Sequence, residues 1–326
     1  MVLIPLLVGT LLVAPEPLYL EDAPPPVRDW TLGPLTVTAP LQVEAGALLV
    51  IDVRSPPVEE GGCRHVTALW QRERWPSFPT LGVHRVLMPV VLESETGPES
   101  LWVDCDGVRR RLEVEIVTLV PRLSRIKHRG RRGEVHLKVA KRFGEPPSER
   151  VRREGRALAK AFRRARPPRR WTRQFLRPAA GVDTSAFGAT RVFRGVKSVH
   201  EGLDIDGGLT DAAYAANDGT VLLVSDDFFY IGNAVVIDHG EGLLTLYFHL
   251  ETPMVTVGQS VSRGELVGVV GATGRVTGPH LHFAVRYRGR YVDPNDLLRF
   301  VPDAPLPGAL AGDLLTPDQS GQLATR

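Results

Sequence analysis

Residues 277–283 read TGPHLHF, and they place two histidines one residue apart at the start of an apolar run. In an extended strand, residues i and i+2 point to the same face of the sheet. We therefore expect His280 and His282 to project together, with the intervening leucine turned the other way. Gly278 and Pro279 are typical of a turn that leads into such a strand. Because a His-x-His pair alone is a weak signal, its meaning depends on partners from other segments.

Two further segments carry residues of the kinds that bind metal ions. SVHEGLDIDGG contains His200 and Asp204, four positions apart, and its glycines argue against a helix. In an extended segment this even spacing puts both side chains on one face, which Asp206 shares as a backup ligand. LLTLYFHL ends its predicted strand at His249. Together the three segments offer four histidines and an aspartate as candidate ligands and catalysts.

This set of residues is typical of zinc catalysis. A catalytic zinc takes three protein ligands from His, Asp or Glu and leaves the fourth position for water. The metal lowers the pKa of that water to about 7, and further imidazoles can move protons or stabilise an oxyanion. The sequence has no Gly-x-Ser-x-Gly elbow, and neither cysteine lies near the cluster. Metal-activated water is therefore the chemistry that the residues support best.

Three longer stretches closely resemble the motifs of peptidase family M23, the lysostaphin/LytM-type zinc endopeptidases of peptidoglycan. They are HEGLDI, GNAVVIDHGEGLLTLYFHL and GATGRVTGPHLHFAVRYRGRYVDPNDLL, and the similarity covers about residues 175–300. The resemblance implies a β-rich domain with a duplicated hybrid motif, which AANDGTV and VTVGQSVSRGELVG match as strand–turn–strand pieces. It also implies a Zn²⁺ cofactor and peptidoglycan stems and cross-links as the substrate.

The resemblance further implies roles for single residues. It assigns the zinc ion to His200, Asp204 and His282, and the reaction itself to His249 and His280. The sequence does not divide the catalytic roles between these two histidines. It also leaves the bond open, because a Gly–Gly bridge and a D-alanyl–diaminopimelate link are both compatible with the motifs.

Two other polar residues near the motifs are interpreted as structural. Asp206 is not needed as a ligand, because three protein ligands already suffice for a catalytic zinc. His239 lies in the predicted HGEG hairpin turn, where we interpret it as structural or solvated.

Residues 25–120 are predicted to form a β-sandwich, with an immunoglobulin-like arrangement as one option. PLTVTAPLQVEAGALLVIDVRS and RRLEVEIVTLV alternate apolar and polar residues, the pattern of strands with one buried face. Trp70 lies between Cys63 and Cys105, the two cysteines of the chain, but this spacing is weak support for a true immunoglobulin domain. The cysteines can form one disulfide in an exported domain, and two buried free thiols are the alternative.

Positive charge is concentrated in residues 121–177. This segment holds 21 Lys and Arg against 4 Asp and Glu, a net charge of +17, whereas residues 1–120 and 178–326 each carry −7. It lacks regularly interleaved aromatics and any zinc-finger or RNA-binding signature, so we expect no nucleic-acid partner. We interpret it as a solvated basic connector, with an anionic envelope surface as the alternative partner.

PPSERVRREGRALAKAFRRARPP predicts one helix, which Ser148 can cap and which ends before Pro167.

The rest of the chain extends the mainly β prediction. Residues 178–300 contain AYAANDGTVLLVS, NAVVIDHGEGLLTLYFHL and HLHFAVRYRGRYV, which predict strands joined by Gly-rich turns. Residues 301–326 are polar and rich in Pro and Gly, which favours a disordered tail.

The first 14 residues, MVLIPLLVGTLLVA, are apolar without interruption. A helix needs about 20 residues to span a bilayer, so we expect no transmembrane helix here. The segment resembles the apolar core of a secretory signal, although no basic residue precedes it. We therefore expect export to the periplasm, the cell envelope or the medium.

Two other function classes compete with a peptidase. A scaffold of the same fold, without zinc ligands, could activate other cell-wall hydrolases, but all five polar residues are present here. A lipoyl or phosphotransfer carrier would need a modified lysine at a hairpin tip or an active histidine pair. Lys197 is the one lysine after residue 177 and lies outside such a hairpin, while a phosphocarrier would not need Asp204.

Overall fold

The computed structural model describes residues 26–119, 135–136, 148–164, 168–193, 196–207 and 211–304, together with residue 306. Over these residues the chain is mainly β, as the sequence predicts. The apolar N-terminal segment, much of the basic connector and most of the predicted tail lie outside the described residues. No helix in the described ranges is long and apolar enough to cross a membrane.

The N-terminal domain contains nine strands along one hydrogen-bonded path. Their order is β1-β2-β4-β7-β6-β5-β8-β9-β3, and one short 3₁₀ turn lies between β4 and β5. Their bounds are β1 (Val27–Leu32), β2 (Leu35–Pro40), β3 (Gln42–Glu44), β4 (Leu48–Arg54), β5 (Val66–Trp70), β6 (Glu73–Thr80), β7 (Val83–Pro89), β8 (Gly97–Cys105) and β9 (Val108–Val117).

Strand β6 joins the two halves of this path. Its residues up to Pro76 pair with β5, and its residues from Ser77 onward pair with β7. Val66, Ala68 and Trp70 alternate along β5 as buried residues, which is the period expected of a strand with one buried face. Side chains from both halves meet in one apolar core, so the β-rich N-terminal domain is confirmed.

The two cysteines form a disulfide, Cys63–Cys105, with Cα atoms 5.4 Å apart. It lies within one half of the path, because Cys105 ends β8 opposite Val66 of β5 and Cys63 lies just before β5. It therefore does not cross between two sheets as an immunoglobulin disulfide does. The free-thiol alternative is wrong. In the chain-entropy description, closing a loop of 42 residues stabilises the folded state by about 4 kcal/mol.

The helix that the sequence predicts in the basic connector is present as α1 (Ser148–Arg163). Ala161 is buried in an apolar cluster with the sheet of the C-terminal domain, and Ala157, Leu158 and Phe162 pack against the same cluster. The exposed side of α1 carries most of its arginines. The helix is thus amphipathic, with one face docked and one face in solvent.

The C-terminal domain is built on a ten-stranded sheet. Its main path is β11-β14-β21-β18-β17-β16-β19, with β15, β20 and β22 at its sides, and β10-β12-β13 form a separate three-stranded sheet. The elements are β10 (Val135–His136), β11 (Asp183–Ser185), β12 (Thr190–Phe193), β13 (Val196–Val199), β14 (Leu203–Asp206), β15 (Ala212–Tyr214), β16 (Gly219–Phe228), β17 (Gly232–Asp238), β18 (Leu243–Pro253), β19 (Ser260–Val261), β20 (Leu266–Val270), β21 (His280–Tyr287), β22 (Arg290–Val292) and α2 (Pro294–Arg299). The predicted HGEG hairpin is confirmed as the turn between β17 and β18.

The two β-domains share a continuous apolar core. Trp171 inserts between them, with its ring 5.5 Å from Phe78 and 5.7 Å from Phe300. Arg85 is buried and forms a two-pronged ion pair with Asp52 at 2.7 Å. The same guanidinium donates to carbonyl oxygens of residues 301, 302 and 304. These contacts fix the end of the C-terminal domain to the sandwich.

Candidate metal centre and active site

The pairing of three strands brings the candidate residues together. β14 runs antiparallel to β21, with Asp204 directly opposite His282 and Asp206 opposite His280. On the other side of β21, Phe248 of β18 lies opposite His282, and His249 follows it in the chain. Because opposed residues on neighbouring strands point to the same face, this register brings Asp204 and His282 close to one another.

Three donor atoms converge on a point beside the sheet. Asp204 Oδ1 lies 2.9 Å from His200 Nε2 and 2.9 Å from His282 Nδ1, and these two nitrogens are 2.9 Å apart. All three residues are buried or nearly so. The structure thus groups the predicted ligands as a set that could hold a metal ion.

The hydrogen bond at His200 Nδ1 leaves the other ring nitrogen, Nε2, available to a cation. Its Nδ1 lies 2.8 Å from the carbonyl oxygen of Ala186, and a carbonyl can only accept, so Nδ1 carries the proton. In the neutral ring, Nε2 then presents a lone pair toward the carboxylate oxygen of Asp204. In that tautomer two acceptors face each other across 2.9 Å, and a cation shared between them, a metal ion or a proton on Nε2, stabilises the contact. Imidazole and carboxylate are ligands that zinc takes in proteins, so the residues fit the ion.

The surroundings favour the protonation states that a metal requires. Burial alone would raise the pKa of Asp204, but hydrogen bonds to His200 and His282 outweigh it and hold that pKa well below its usual value. Burial lowers the pKa of His282 to about 4, although Asp204 opposes the shift. Asp204 is therefore ionised and His282 neutral near pH 7. Metal ligands need these states.

His249 and His280 lie beside the three candidate ligands. Their ring centres are 5.0 Å apart, and the ring of His249 is 6.0 Å from that of His282. His249 Nδ1 donates to the carbonyl of Thr273 at 3.0 Å, and His280 Nδ1 donates to the carbonyl of Gly278 at 2.9 Å. Both rings therefore carry the Nδ1 proton and keep Nε2 as a free acceptor. His280 Nε2 lies 3.7 Å from Asp204 Oδ1.

The backbone of His249 has an unusual conformation. Its φ angle is +65°, in the left-handed region that a non-glycine residue rarely adopts. A hydrogen bond of 2.9 Å from its N–H to the carbonyl of Ile231 holds it there. Burial, and then the neighbouring His280 and His282, lower the pKa of its imidazole well below 6.5. Local strain of this kind is concentrated at functional sites in proteins.

Several residues that contact the candidate ligands or support them could not be recognised from the sequence motifs. The Phe248 ring stacks on the His282 ring, with the ring centres 5.4 Å apart and an angle of 7° between the planes. The Arg191 guanidinium contacts the second carboxylate oxygen of Asp204. Glu154 of α1 is buried and accepts a hydrogen bond of 2.9 Å from the N–H of Phe229, in the hairpin that also supplies the Ile231 carbonyl. These contacts join residues far apart in the chain, so local patterns do not reveal them.

The two residues that were interpreted as structural lie outside the donor group. Asp206 is exposed and is not among the three residues that could hold a metal. His239 is buried and bonded at both nitrogens, to the Asp218 carbonyl at 2.8 Å and to Thr245 Oγ1 at 2.7 Å. Burial lowers its pKa to about 4. Of the two options for His239, the structure therefore supports the structural one.

Gly202 gives a direct test of the donor geometry. A Cβ atom at this position would lie 2.6 Å from His282 Nε2 and 2.7 Å from the Phe283 carbonyl. We expect Gly202→Ala to displace the His282 ring and lower metal content after dialysis, measured by atomic emission. The matched change Gly155→Ala, where a Cβ would meet nothing within 4 Å, should leave metal content unchanged. Equal metal in both variants would contradict the placement of His282.

Comparisons with known proteins agree with this geometry. Residues 198–294 match the family model described as peptidase family M23. The chain is 37% identical to the peptidoglycan DD-endopeptidase ShyA of Vibrio cholerae over 143 residues, which are 43% of this chain and 31% of that protein. It is 32% identical to the murein hydrolase activator NlpD of Escherichia coli over 125 residues, covering 38% of this chain and 30% of that protein. The chain thus spans less than a third of either relative.

One solved structure resembles both domains together. A crystal structure from Pseudomonas aeruginosa assigned to peptidase M23 aligns with a TM-score of 0.56 and 25% identity, covering 78% of this chain and 93% of that one. The fold, the matched family and the grouped residues agree with one another. The chain therefore contains a peptidase M23 domain, matched over residues 198–294.

Proposed function

We propose that this protein is a zinc-dependent endopeptidase that hydrolyses peptide cross-links of bacterial peptidoglycan. The observation that carries the proposal is the convergence of three potential ligand atoms, from His200, Asp204 and His282, at mutual distances of 2.9 Å. Beside them lie two further imidazoles with free Nε2 atoms, those of His249 and His280. This is a ligand set together with two proton carriers.

The five residues would have two kinds of role, metal binding and proton transfer. His200, Asp204 and His282 would hold zinc, which supplies a Lewis acid that polarises the scissile carbonyl and activates water. His249 and His280 would accept the proton of the attacking water at Nε2 and return it to the leaving amine. The backbone carbonyls that accept from both Nδ1 atoms hold the rings in the correct tautomer. Proton transfer by such groups typically contributes 10²–10⁴-fold to the rate.

The relatives favour one kind of bond. ShyA is named a peptidoglycan DD-endopeptidase, so we propose that the present chain also cleaves a link between D-configured centres. The D-alanyl–diaminopimelate cross-link is such a bond, whereas a Gly–Gly bridge is not. The proposed substrate is therefore peptidoglycan whose stem peptides are cross-linked directly, without a Gly–Gly bridge.

We also propose that the protein acts outside the cytoplasm. Disulfides persist in oxidising compartments, including the periplasm and the extracellular space, and the Cys63–Cys105 bridge is formed. Peptidoglycan lies in the same compartments. The apolar segment 1–14 would serve as the export signal.

A second candidate function is activation of other cell-wall hydrolases. One relative, NlpD, is named a murein hydrolase activator, so the fold alone does not decide between catalysis and activation. Retention of all three candidate ligands and both histidines in this chain supports catalysis. The zinc content of the purified protein separates the two functions, because an activator has no need of the ion.

Variants at single histidines test which residues bind metal and which act on protons. His282→Ala should lose both zinc and activity, because it removes one of three ligands. His249→Ala should keep about one zinc per chain but lose turnover by a factor of about 10²–10⁴. Zinc by atomic emission and turnover on a cross-linked muropeptide dimer check this. Loss of zinc in both variants would show that His249 has been assigned the wrong role.

The exposed face of α1 gives a second test, which concerns binding to the wall. Arg152, Arg156 and Lys160 are exposed and recur every four residues, so they form one stripe. We propose that this stripe binds anionic polymers of the envelope. Changing the three residues to Gln should release the protein from purified sacculi at low salt in a sedimentation assay. Cleavage of a small soluble peptide should not change.

The control removes the same charge elsewhere. Arg54, Arg64 and Arg72 are exposed on the N-terminal domain, and their Gln variant should still sediment with sacculi. Contacts between exposed charges weaken as the Debye length falls from about 10 Å at 0.1 M salt to about 3 Å at 1 M. Wild-type binding should therefore fade over this range. Equal release by both triple variants would mean that net charge, rather than the α1 stripe, governs binding.

A further inference from the structure

The two carboxylate oxygens of Asp204 have different partners. Oδ1 faces the candidate metal position, 2.9 Å from both His200 Nε2 and His282 Nδ1. Oδ2 is contacted by the Arg191 guanidinium through Nη2. The side chain of Asp204 is 8% exposed and that of Arg191 is 25% exposed, so the pair is largely shielded from water. One oxygen of the carboxylate is thus committed to the arginine.

Arg191 also contacts Ser185, which lies beside a second candidate ligand, His200. Its Nη2 donates to Ser185 Oγ at 3.1 Å, and Ser185 Oγ lies 3.2 Å from His200 Nδ1. The arginine therefore touches the outer side of Asp204 directly and that of His200 through Ser185. Partners of this kind orient metal ligands and tune the bound ion.

The arginine comes from a different sheet than the ligand aspartate. Arg191 lies on β12, which pairs with β10 and β13, whereas Asp204 and His282 lie on the ten-stranded sheet. Two backbone hydrogen bonds, from His200 N–H to the Ala189 carbonyl and from Gly188 N–H to the His200 carbonyl, attach this part of the chain to His200. The position of Arg191 relative to the ligands is therefore fixed by short, local connections.

A carboxylate with both oxygens free can bind a metal ion through one oxygen or through two. A charged, hydrogen-bonded partner on one oxygen removes the second option, because that oxygen would have to give up a charge-assisted contact. We propose that Arg191 is a positioning residue that restricts Asp204 to one-oxygen ligation and so keeps the metal four-coordinate, with a position open for substrate. The inference rests on the metal site proposed above and adds a residue to it.

Metal affinity alone is a poor readout of this role. Loss of a positive charge near the site would favour binding of a cation, whereas loss of ligand orientation would weaken it. The two effects oppose each other. The coordination number of the ion separates them, and cobalt(II) reports it in the visible spectrum of the intact protein without any need for turnover.

The experiment compares cobalt-loaded wild type with Arg191→Met, Arg191→Lys and the control Arg290→Met. Arg290 forms a surface ion pair with Glu73 at 3.0 Å, with the two side chains 47% and 45% exposed. Four-coordinate cobalt absorbs far more strongly than five- or six-coordinate cobalt. We expect Arg191→Met to reduce molar absorptivity by roughly a factor of two or more as Asp204 chelates through both oxygens. Arg191→Lys should restore most of the intensity, and Arg290→Met should match wild type.

Other results would overturn the proposal. If Arg191 only stabilises the β12–β13 hairpin, Arg191→Met will lower the midpoint of thermal unfolding and leave the cobalt spectrum unchanged. If Arg191→Met does not fold, Arg191→Leu, which also removes every donor to Asp204 Oδ2, is read by the same criterion. A wild-type protein that binds no cobalt would refute the metal site itself, a failure distinct from an unchanged spectrum in the Arg191 variants.

Discussion

The convergence of three potential metal-ligand atoms on one point is the constraint on which the site depends. Asp204 Oδ1, His200 Nε2 and His282 Nδ1 lie 2.9 Å from one another, and the Ala186 carbonyl holds the His200 proton on the far side of its ring. A metal ion held among these atoms would satisfy all three at once. The strand register, the close approach at Gly202 and the stacked Phe248 ring bring the three atoms together.

The parts of the site that local periodicity governs could be predicted from the sequence. An i, i+2 pair on a strand places His280 and His282 on one face, and even spacing does the same for His200 and Asp204. The resemblance of the motifs then supplied the roles. Arg191, Glu154 and the carbonyls that fix the imidazole tautomers could not be predicted, because their contacts join separate sheets, a helix and a hairpin. No periodic pattern encodes such contacts.

The same distinction applies to the fold. Alternating burial of Leu112, Val114 and Ile116 in β9 and the amphipathic pattern of α1 are local features, and the sequence predicts them. Docking of α1 on the ten-stranded sheet, insertion of Trp171 between the domains and the hydrogen bonds of Arg85 to the chain near residue 302 are long-range features. The choice between a disulfide and two free thiols likewise depended on how close the Cα atoms of Cys63 and Cys105 come.

Bond cleavage by the zinc-loaded protein is the property that the proposed function requires most directly. Purified peptidoglycan with D-alanyl–diaminopimelate cross-links should be incubated with the protein, with a chelator, and with chelator followed by added zinc, and the fragments analysed by mass spectrometry. We expect cross-linked dimers to become monomers that each keep an intact stem, with a new amine on diaminopimelate. The chelator should abolish this change and zinc should restore it. Dimers that stay intact with zinc-loaded protein, or cleavage that persists without metal, would contradict the account.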